Sequence, residues 1–555
     1  MTTAVPAPLK QLAALHGFRG NVISYLLALR TDADPWLATG AWCSLIDRGA
    51  LTHRPALWDE VITRSNQGAI KTRAFAFFER VVLDHARAER VLAQQTEPSV
   101  ATAREGMLGD LRFDYQTSLN SAAKMFLETG TPRWLAHARH VAELIGGWRQ
   151  AVPWLIRLFL INPEDPGPLG LMLLNLEAAG QPDLLAGVAD ALATSNLHPQ
   201  VTILFRAASH LRSRDAKGCL AQLDLLLPRS SPPERIPADF RASFLQLRAE
   251  AEEKTGQWTA AHDDYVAMNA CDPAHGVDPD DHFRRTEIKK RLNIPRLPPD
   301  LRSDVVQMLG FPRSGTTLLE NALAAHPLVE TFEEIPAMKA AIDVVEMTFN
   351  GKLSPQQSLV DTYVAARNKY YEEIDIRRRR PSARVLVDKL PLRSTEADFM
   401  RSVFPDWRFI FSIRHPFDVV LSCFKQRFEP NPAMENFRSI KRAARTYDHA
   451  MAEWFAVHSL NDPSVHYVRY EELVTDFKDV LSGTLAFLGL DWDDDLLGFS
   501  DEADRRASRT PSYQKVRQGL SIGVQTYWQN YRFVFEDEAC APLFKWAEFF
   551  GYQTA

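Results

Sequence analysis

The sequence has 555 residues, of which 46% are hydrophobic and 24% charged, and its formal net charge is -6. That length allows about two to four domains with cores of their own, and the charge lacks the basic excess of a nucleic-acid-binding protein. Residues 1–10 lack the basic start and apolar run of a signal peptide, and no stretch of about 18 apolar residues predicts a membrane span. The five cysteines are scattered, with neither disulfide nor metal-ligand spacing. We therefore expect a soluble, cytoplasmic protein without nucleic-acid, membrane or metal partners.

The first half of the chain has the pattern of paired amphipathic helices. From residue 244 to residue 268, apolar residues recur at intervals of three and four on both sides of Gly256, which predicts two helices joined by a tight turn. A similar turn is predicted at Gly180, followed by an apolar face with Leu184 and Val188. These pairs resemble degenerate tetratricopeptide repeats. One pair cannot bury its apolar face alone, so we expect the pairs to stack into a solenoid.

The composition divides the chain into three parts. Residues 1–275 are the expected helical-repeat (TPR-like) domain, residues 276–300 a linker rich in charged residues and proline, and residues 301–555 a second domain. The concave surface of a solenoid commonly binds a peptide or a partner protein. A purely structural arm is the alternative of equal weight, and a homodimer also stays open.

The second domain has the rhythm of an α/β protein. Residues 305–309, 384–387 and 408–413 are short apolar runs typical of buried strands, and each precedes a turn and a helical pattern. Strand, turn and helix in series predict a mainly parallel sheet with helices on both faces.

A glycine-rich segment lies between the first of these strands and a helix predicted over residues 318–325. Gly310 and Gly315 have the G-x-x-x-x-G spacing of a phosphate-binding loop, whose amides and helix dipole attract an anion. The lysine that reaches the β- and γ-phosphates of ATP is replaced by Thr316, and no clear acid to hold magnesium follows. ATP hydrolysis is therefore disfavoured, and Arg313 instead offers a cation near the group being transferred.

The segment Phe311–Thr317 resembles the 5′-phosphosulfate loop of sulfotransferases, and residues 325–329 with Glu333 and Glu334 resemble the branch that contains the tyrosylprotein sulfotransferases. Bacterial proteins that join tetratricopeptide repeats to this domain share the layout. The resemblance implies a P-loop sulfotransferase domain. Its co-substrate would be 3′-phosphoadenosine 5′-phosphosulfate (PAPS), its acceptor a hydroxyl, and no metal would be needed.

An arginine at a strand end and a serine two turns into the following helix can converge on one phosphate. Arg414 and Ser422 have this arrangement, and the resemblance assigns them to the 3′-phosphate. The implied cofactor-binding residues are Arg313, Ser314, Gly315, Thr316, Thr317, Arg414, Ser422, Tyr470, Lys515 and Arg517. Three positions depart from the family, since Gln426 and Tyr527 replace basic residues and Gly519 replaces a proline. We expect altered loop geometry or weaker cofactor binding from these changes.

The resemblance also implies catalytic roles. Glu334 is the expected general base, and Arg313, Lys389 and Ser512 are expected to stabilise negative charge on the transferred and bridging oxygens. Lys389 stands where cytosolic sulfotransferases have a histidine. A lysine acts as a base only if its pKa falls by several units, so we assign Lys389 the role of a cation.

The acceptor stays open at this point. A tyrosine in an acidic peptide or protein is favoured by the pairing of Glu334 with Lys389, and the basic run 377–380 could face acidic residues. A sugar or a small phenol is the alternative. Two other classes are a magnesium-dependent P-loop hydrolase or kinase, and a repeat scaffold with a vestigial transferase domain. The joint retention of the predicted site residues favours an active enzyme.

Overall fold

The computed structural model describes residues 115–130, 134, 137–139, 141, 148–161, 163–231, 236, 238–271, 277–290, 294, 296–299, 302–350, 359–428, 430–498 and 527–554. By proximity of Cα atoms, the chain divides into two units. The first comprises Met1–Val141, Pro295–Leu297 and Ile335–Arg379, and the second comprises Ala142–Ile294, Pro298–Glu334 and Arg380–Ala555. The helices of residues 142–294, which we call the helical arm, therefore lie in the same unit as the sheet.

The described chain before the sheet is helical, as predicted. The helices are α1 Tyr115–Thr129, α2 Trp148–Ile161, α3 Gly167–Ala178, α4 Pro182–Thr194, α5 Pro199–Arg212, α6 Ala216–Leu226, α7 Ala238–Lys254, α8 Trp258–Ala270 and α9 Asp281–Lys290. The last of them falls within the predicted linker.

The two helices predicted around Gly256 are confirmed as α7 and α8. Gly256 takes a φ of 79° between them, a conformation that glycine adopts without strain. Most of the apolar face that was read from the sequence is buried in both helices, namely Phe244, Leu247, Ala251, Ala261, Tyr265 and Met268. Trp258, placed on the same face, is only partly buried.

The predicted face of α4 is wrong by one residue. Leu184 is 43% exposed, and the helix buries Leu185, Ala189 and Leu192 instead. The sequence offers apolar residues at both 184 and 185, so periodicity alone did not fix the rotation of this helix.

Polar contacts join the arm internally and to the sheet domain. Arg212 of α5 donates to Glu177 of α3 and, at 2.9 Å, to Glu250 of α7. Arg438, in the sheet domain, donates to the carbonyl oxygens of Asn269 and Cys271 at 2.9 and 2.8 Å. Those carbonyls belong to the last turn of α8 and the residue after it, where a helix leaves acceptors without partners of its own.

The sheet is parallel and has five strands in the order β2-β3-β1-β4-β5. The strands are β1 Val305–Gly310, β2 Val329–Glu333, β3 Val385–Lys389, β4 Arg408–Ile413 and β5 Val465–Arg469. The three predicted strands are confirmed as β1, β3 and β4. The chain leaves β1 toward β2 on one side and leaves β4 toward β5 on the other, and parallel sheets bind ligands at the carboxyl ends where such a reversal occurs.

Helices and short 3₁₀ turns follow the strands. The helices are α10 Thr316–Ala324, α11 Ala337–Asn350, α12 Leu359–Arg377, α13 Ala397–Val403, α14 Pro416–Phe424, α15 Ile440–Phe455, α16 Tyr470–Thr475, α17 Phe477–Leu488 and α18 Ala541–Phe549. The 3₁₀ turns are Pro391–Glu396, Met434–Arg438, Asp494–Gly498, Tyr527–Val534 and Glu538–Cys540. Of these, α11 and α12 belong to the first unit.

An apolar cluster packs α10 and α17 against the sheet. Val306 and Met308 of β1 lie among Leu319 and Leu323 of α10 and Leu485 of α17, all nearly inaccessible to water. This packing fixes the start of α10 beside the end of β1. No helix in the described part of the chain is long and apolar enough to cross a bilayer.

Candidate functional site

The loop between β1 and α10 makes two turns that require glycine. Gly310 has a φ of 152°, and a Cβ there would lie 2.7 Å from the carbonyl oxygen of Ser412. Gly315 has a φ of 97°, and a Cβ there would lie 2.5 Å from the ring of Tyr470. Arg313 also takes a positive φ, of 73°, which is uncommon for a residue with a side chain. Such backbone conformations are found at ligand-binding loops.

The loop fits an anion. The first residues of α10, Thr316 and Thr317, are buried, and the helix begins there with amides that have no acceptor within the helix. Ser314 is also buried, and its Oγ has no hydrogen-bond partner among the described residues. A buried hydroxyl without a partner at a helix start is what a bound phosphate or sulfate group would satisfy. The residues present therefore suit the predicted 5′-phosphosulfate group.

Two arginines and a serine, all predicted cofactor residues, meet at this loop. The Nε of Arg313 donates to the Oγ of Ser422 at 3.1 Å. Arg414 donates to the carbonyl oxygen of Arg313 at 3.1 Å, and its guanidinium lies 4.4 Å from the centre of the Tyr470 ring. Burial lowers the pKa of Arg313 to about 10. Within the described residues Arg414 forms no ion pair, so its charge is available to an anion.

Lys389 ends β3 and is fully buried. Its Nζ lies 3.1 Å from Glu333, 3.3 Å from Glu334 and 3.3 Å from Glu320. Burial by itself lowers the pKa of a lysine, but these carboxylates, Glu320 foremost, raise the pKa of Lys389 well above its usual value. Lys389 is therefore held as a cation.

Glu320 was missed by the sequence analysis. It lies on α10 and is 3% exposed, in a largely buried stretch whose other polar residues are Thr316, Thr317 and Asn321, and which the sequence analysis treated only as the helix after the phosphate loop. An acidic residue in such a stretch is rarely buried without a partner. That mismatch was the available signal, and it would have pointed to a buried cation.

Glu334 follows β2 and is the most accessible of the three carboxylates around Lys389. Its side chain is 35% exposed, against 17% for Glu333 and 5% for Glu320. Its backbone is held in a left-handed conformation with a φ of 52°, and its amide donates to the carbonyl of Lys389 at 2.8 Å. The carboxylate is thus anchored to β3 and still open to solvent.

A second group of residues holds the end of β4. The carboxylate of Glu471 accepts hydrogen bonds from the His415 amide at 3.0 Å and from the Tyr552 hydroxyl at 2.7 Å. The His415 ring stacks on Trp528 at a centroid distance of 5.1 Å. Arg414 immediately precedes His415, so these contacts fix the position of the arginine.

The remaining predicted residues divide into three groups. Ser512, Lys515, Arg517 and Gly519 lie outside the described residues. The Tyr527 ring lies 5.6 Å from the ammonium of Lys425, the residue beside Gln426. In the basic run, Arg377 pairs with Glu373 of its own helix and Arg380 donates to the carbonyl oxygen of His326 at 2.9 Å, whereas Arg378 and Arg379 are exposed.

The α/β domain thus has, at the carboxyl ends of its strands, a loop that suits an anion, a fixed cation and an exposed carboxylate. Residues 306–494 match the family described as the sulfotransferase family. The matched segment contains the loop between β1 and α10, Lys389, Arg414 and Ser422, so these residues lie in a segment similar to sulfotransferase-family domains.

Individual proteins that resemble this chain share a quarter or less of its residues in the aligned segment. An uncharacterized protein of Aquifex aeolicus (strain VF5) is 25% identical over 236 residues, covering 40% of this chain. The chain spans about 30% of the length of that relative.

Among solved structures, the sulfotransferase domain of the Synechococcus PCC 7002 olefin synthase is 18% identical, with 46% of this chain and 98% of that chain covered and a TM-score of 0.30. Sulfotransferase STF9 of Mycobacterium avium is 12% identical, with 61% and 97% covered and a TM-score of 0.30. Mouse sulfotransferase SULT7A1, solved with PAP, is 16% identical, with 44% and 90% covered and a TM-score of 0.25.

Proposed function

We propose that this protein transfers a sulfuryl group from PAPS to a hydroxyl acceptor. The observation that carries the proposal is the convergence of Arg313, Arg414 and Ser422 on a loop whose buried Ser314 hydroxyl has no partner among the described residues. The loop with Arg313 and Ser314 suits the 5′-phosphosulfate. The pair Arg414 and Ser422 suits the additional 3′-phosphate that distinguishes PAPS from ATP. The absence of a lysine at Thr316 also speaks against a nucleotide triphosphate.

PAPS supplies the sulfuryl group: the acceptor oxygen bonds to sulfur as the bond to the phosphate oxygen breaks, leaving 3′-phosphoadenosine 5′-phosphate (PAP). Glu334 takes the proton of the acceptor hydroxyl on its carboxylate, since it is the exposed acid of its cluster. Lys389 and Arg313 offset the negative charge that develops on the bridging and sulfuryl oxygens. Fixed charges of this kind need no rearrangement during the reaction, which is the main source of their effect.

Lys389 is assigned as a cation rather than a base because three carboxylates surround it. Removing its proton would take away the positive charge that faces those carboxylates in a buried site. Ser512, Lys515 and Arg517 keep their proposed roles in catalysis and cofactor binding on the sequence resemblance alone.

The acceptor is proposed only as a hydroxyl compound. A tyrosine in a peptide or protein is the first candidate, followed by small phenols and sugars. The basic run gives limited support to acidic peptides, because Arg377 and Arg380 are engaged within the protein and only Arg378 and Arg379 are exposed.

The test is a calorimetric titration with PAP, run beside ADP and magnesium-ATP. We expect the protein to bind PAP in preference to both, and Arg414→Ala to weaken PAP binding by about a hundredfold, the effect of losing a charged hydrogen-bond partner of a phosphate. Arg408→Ala is the matched control because Arg408 lies at the opposite end of β4, and it should leave the affinity for PAP unchanged.

Preference for magnesium-ATP would replace the proposal with a P-loop hydrolase or kinase. Failure to bind any of the three nucleotides would favour a scaffold with a vestigial domain. Binding of PAP justifies a screen of acceptors with PAPS, beginning with tyrosine peptides.

A further inference from the structure

A lysine beside the proposed cofactor site is paired with the helical arm. Lys425 follows α14 and lies three residues after Ser422, a spacing that puts two residues on neighbouring positions of one helix face. Its ammonium lies 2.5 Å from a carboxylate oxygen of Glu253 on α7. Lys425 forms no second ion pair with any of the described residues. The side chains of Lys425 and Glu253 are 18% and 12% exposed.

Tyrosine rings enclose the pair. The ammonium of Lys425 lies 5.4 Å from the ring of Tyr265, 5.6 Å from that of Tyr527 and 5.8 Å from that of Tyr531. The hydroxyl of Tyr531 donates to Glu253 at 2.5 Å, and that of Tyr265 donates at 3.3 Å. The carboxylate of Glu253 therefore holds one cation and two hydroxyl groups.

Lys425 adjoins the proposed cofactor site in sequence and in space. It lies three residues after Ser422, which accepts from Arg313 at 3.1 Å, and its ammonium is 5.6 Å from the ring of Tyr527. Burial and the charge of Glu253 raise the pKa of Tyr527, while the charge of Arg414 lowers it. One ring thus senses both the arm carboxylate and the arginine assigned to the 3′-phosphate. A lysine in this position would ordinarily be expected to add to the attraction for a phosphate.

We infer that Glu253 of the helical arm is a counter-charge that withholds Lys425 from the cofactor and so lowers the affinity of the site for 3′-phosphorylated nucleotide, an inference that rests on the proposed function. The arm then acts on the reaction without touching the cofactor. Glu253 is a positioning residue, since it acts through Lys425.

This arrangement has a use in turnover. PAP, the product, retains both phosphates of PAPS, and product release limits the rate of many enzymes. A site in which every nearby cation contacted the phosphates would release PAP more slowly. A neutralised Lys425 keeps the affinity lower than the local composition would allow.

Glu253→Gln separates this role from a structural one. The amide oxygen of glutamine can still accept from Tyr531, and Tyr531 keeps its edge contact with Trp258 of α8, at a centroid distance of 5.7 Å. The ammonium of Lys425, however, loses its neutralising charge. A purely structural Glu253 predicts weaker PAP binding in this variant, whereas a counter-charge predicts tighter binding.

The experiment is a calorimetric titration with PAP. We expect Glu253→Gln to bind about fivefold more tightly than wild type and with a steeper dependence on salt, as one added, partly exposed charge contact should produce. Glu253→Asp, which retains the charge, should bind like wild type. Lys425→Met should change the affinity by less than about twofold, and the double variant should lose the gain of Glu253→Gln.

Glu177→Gln is the matched control. It removes another buried arm carboxylate, the partner of Arg212, and should lower thermal stability without changing the affinity for PAP. Unchanged or weaker binding by Glu253→Gln overturns the inference while leaving the proposed function intact. Weakened binding by Lys425→Met alone also overturns it, whether or not the Glu253 variant folds. If wild type fails to bind PAP, the proposed function and this inference both fail.

Discussion

The two ends of the candidate site differ in whether their cation is paired with carboxylates. At the loop end, which comprises Arg313, Ser314, Arg414 and Ser422, Arg414 contacts a carbonyl oxygen and an aromatic ring but forms no ion pair among the described residues. At the lysine end, which comprises Lys389 with Glu320, Glu333 and Glu334, three carboxylates surround one ammonium. An anion is attracted where the cation is available, and a proton is accepted where carboxylates are in excess. The difference therefore supports the proposal that one end binds the cofactor and the other accepts the proton.

The largest expected effect is at the lysine end. Glu334→Gln should lower turnover by about a hundredfold to ten thousandfold, the range for loss of a general base, with PAP affinity nearly unchanged. Glu333→Gln removes the same charge at a similar distance from Lys389, 3.1 against 3.3 Å. Its turnover should fall by less than about tenfold. Equal losses in steady-state assays of the two variants would mean that Glu334 acts through local charge and not as the base.

Replacing the cation itself should affect both rate and stability. Lys389→Met should lower turnover by about a hundredfold. It should also lower the free energy of unfolding by about 3 kcal/mol, because the buried carboxylate of Glu320 loses its ion pair with Lys389. Lys441→Met is the control, since Lys441 is 62% exposed on α15 and its partner Asp537 is 39% exposed. Denaturant unfolding would contradict this account if both variants lost similar stability.

The smallest of these effects concerns the backbone of the loop end. Gly315→Ala should weaken PAP binding by about tenfold, because a Cβ would meet the Tyr470 ring at 2.5 Å in addition to the strain of a φ of 97°. Gly489→Ala has the strain alone, with a φ of 74° and no atom within 4 Å of the added carbon. It should lose about 1 kcal/mol of unfolding free energy and bind PAP normally. If Gly489→Ala weakened PAP binding equally, the close approach to Tyr470 would not matter.

Local patterns of the sequence were sufficient to predict that the residues of the loop end lie together. Strands β1, β3 and β4 are short apolar runs, and Gly310, Arg313 and Gly315 belong to one contiguous motif. Arg414 and Ser422 were found because a strand end and the next helix are close in both sequence and space. The site residues that the structure describes are thus joined at the edge that the parallel sheet implies.

The features that the sequence did not reveal depend on tertiary packing. Glu320 reaches Lys389 only because α10 packs beside β3, and no spacing in the sequence encodes that contact. Glu253 and Lys425 lie far apart in the chain, and their pairing follows from how α7 and α8 dock on the sheet domain. The wrong face assigned to α4 has the same origin, since neighbouring helices decide which of two adjacent apolar residues is buried.

Arg438 has a consequence for how the protein folds. Its guanidinium binds the carbonyls of Asn269 and Cys271, at the end of an arm helix, so part of the capping of that helix comes from far along the chain. The arm cannot complete this helix end until the sheet domain has formed around Met434–Arg438. The arm is synthesised before the sheet domain. The last turn of α8 should therefore stay frayed until the later half of the chain has folded. The two regions should accordingly unfold in one cooperative transition rather than as separate modules.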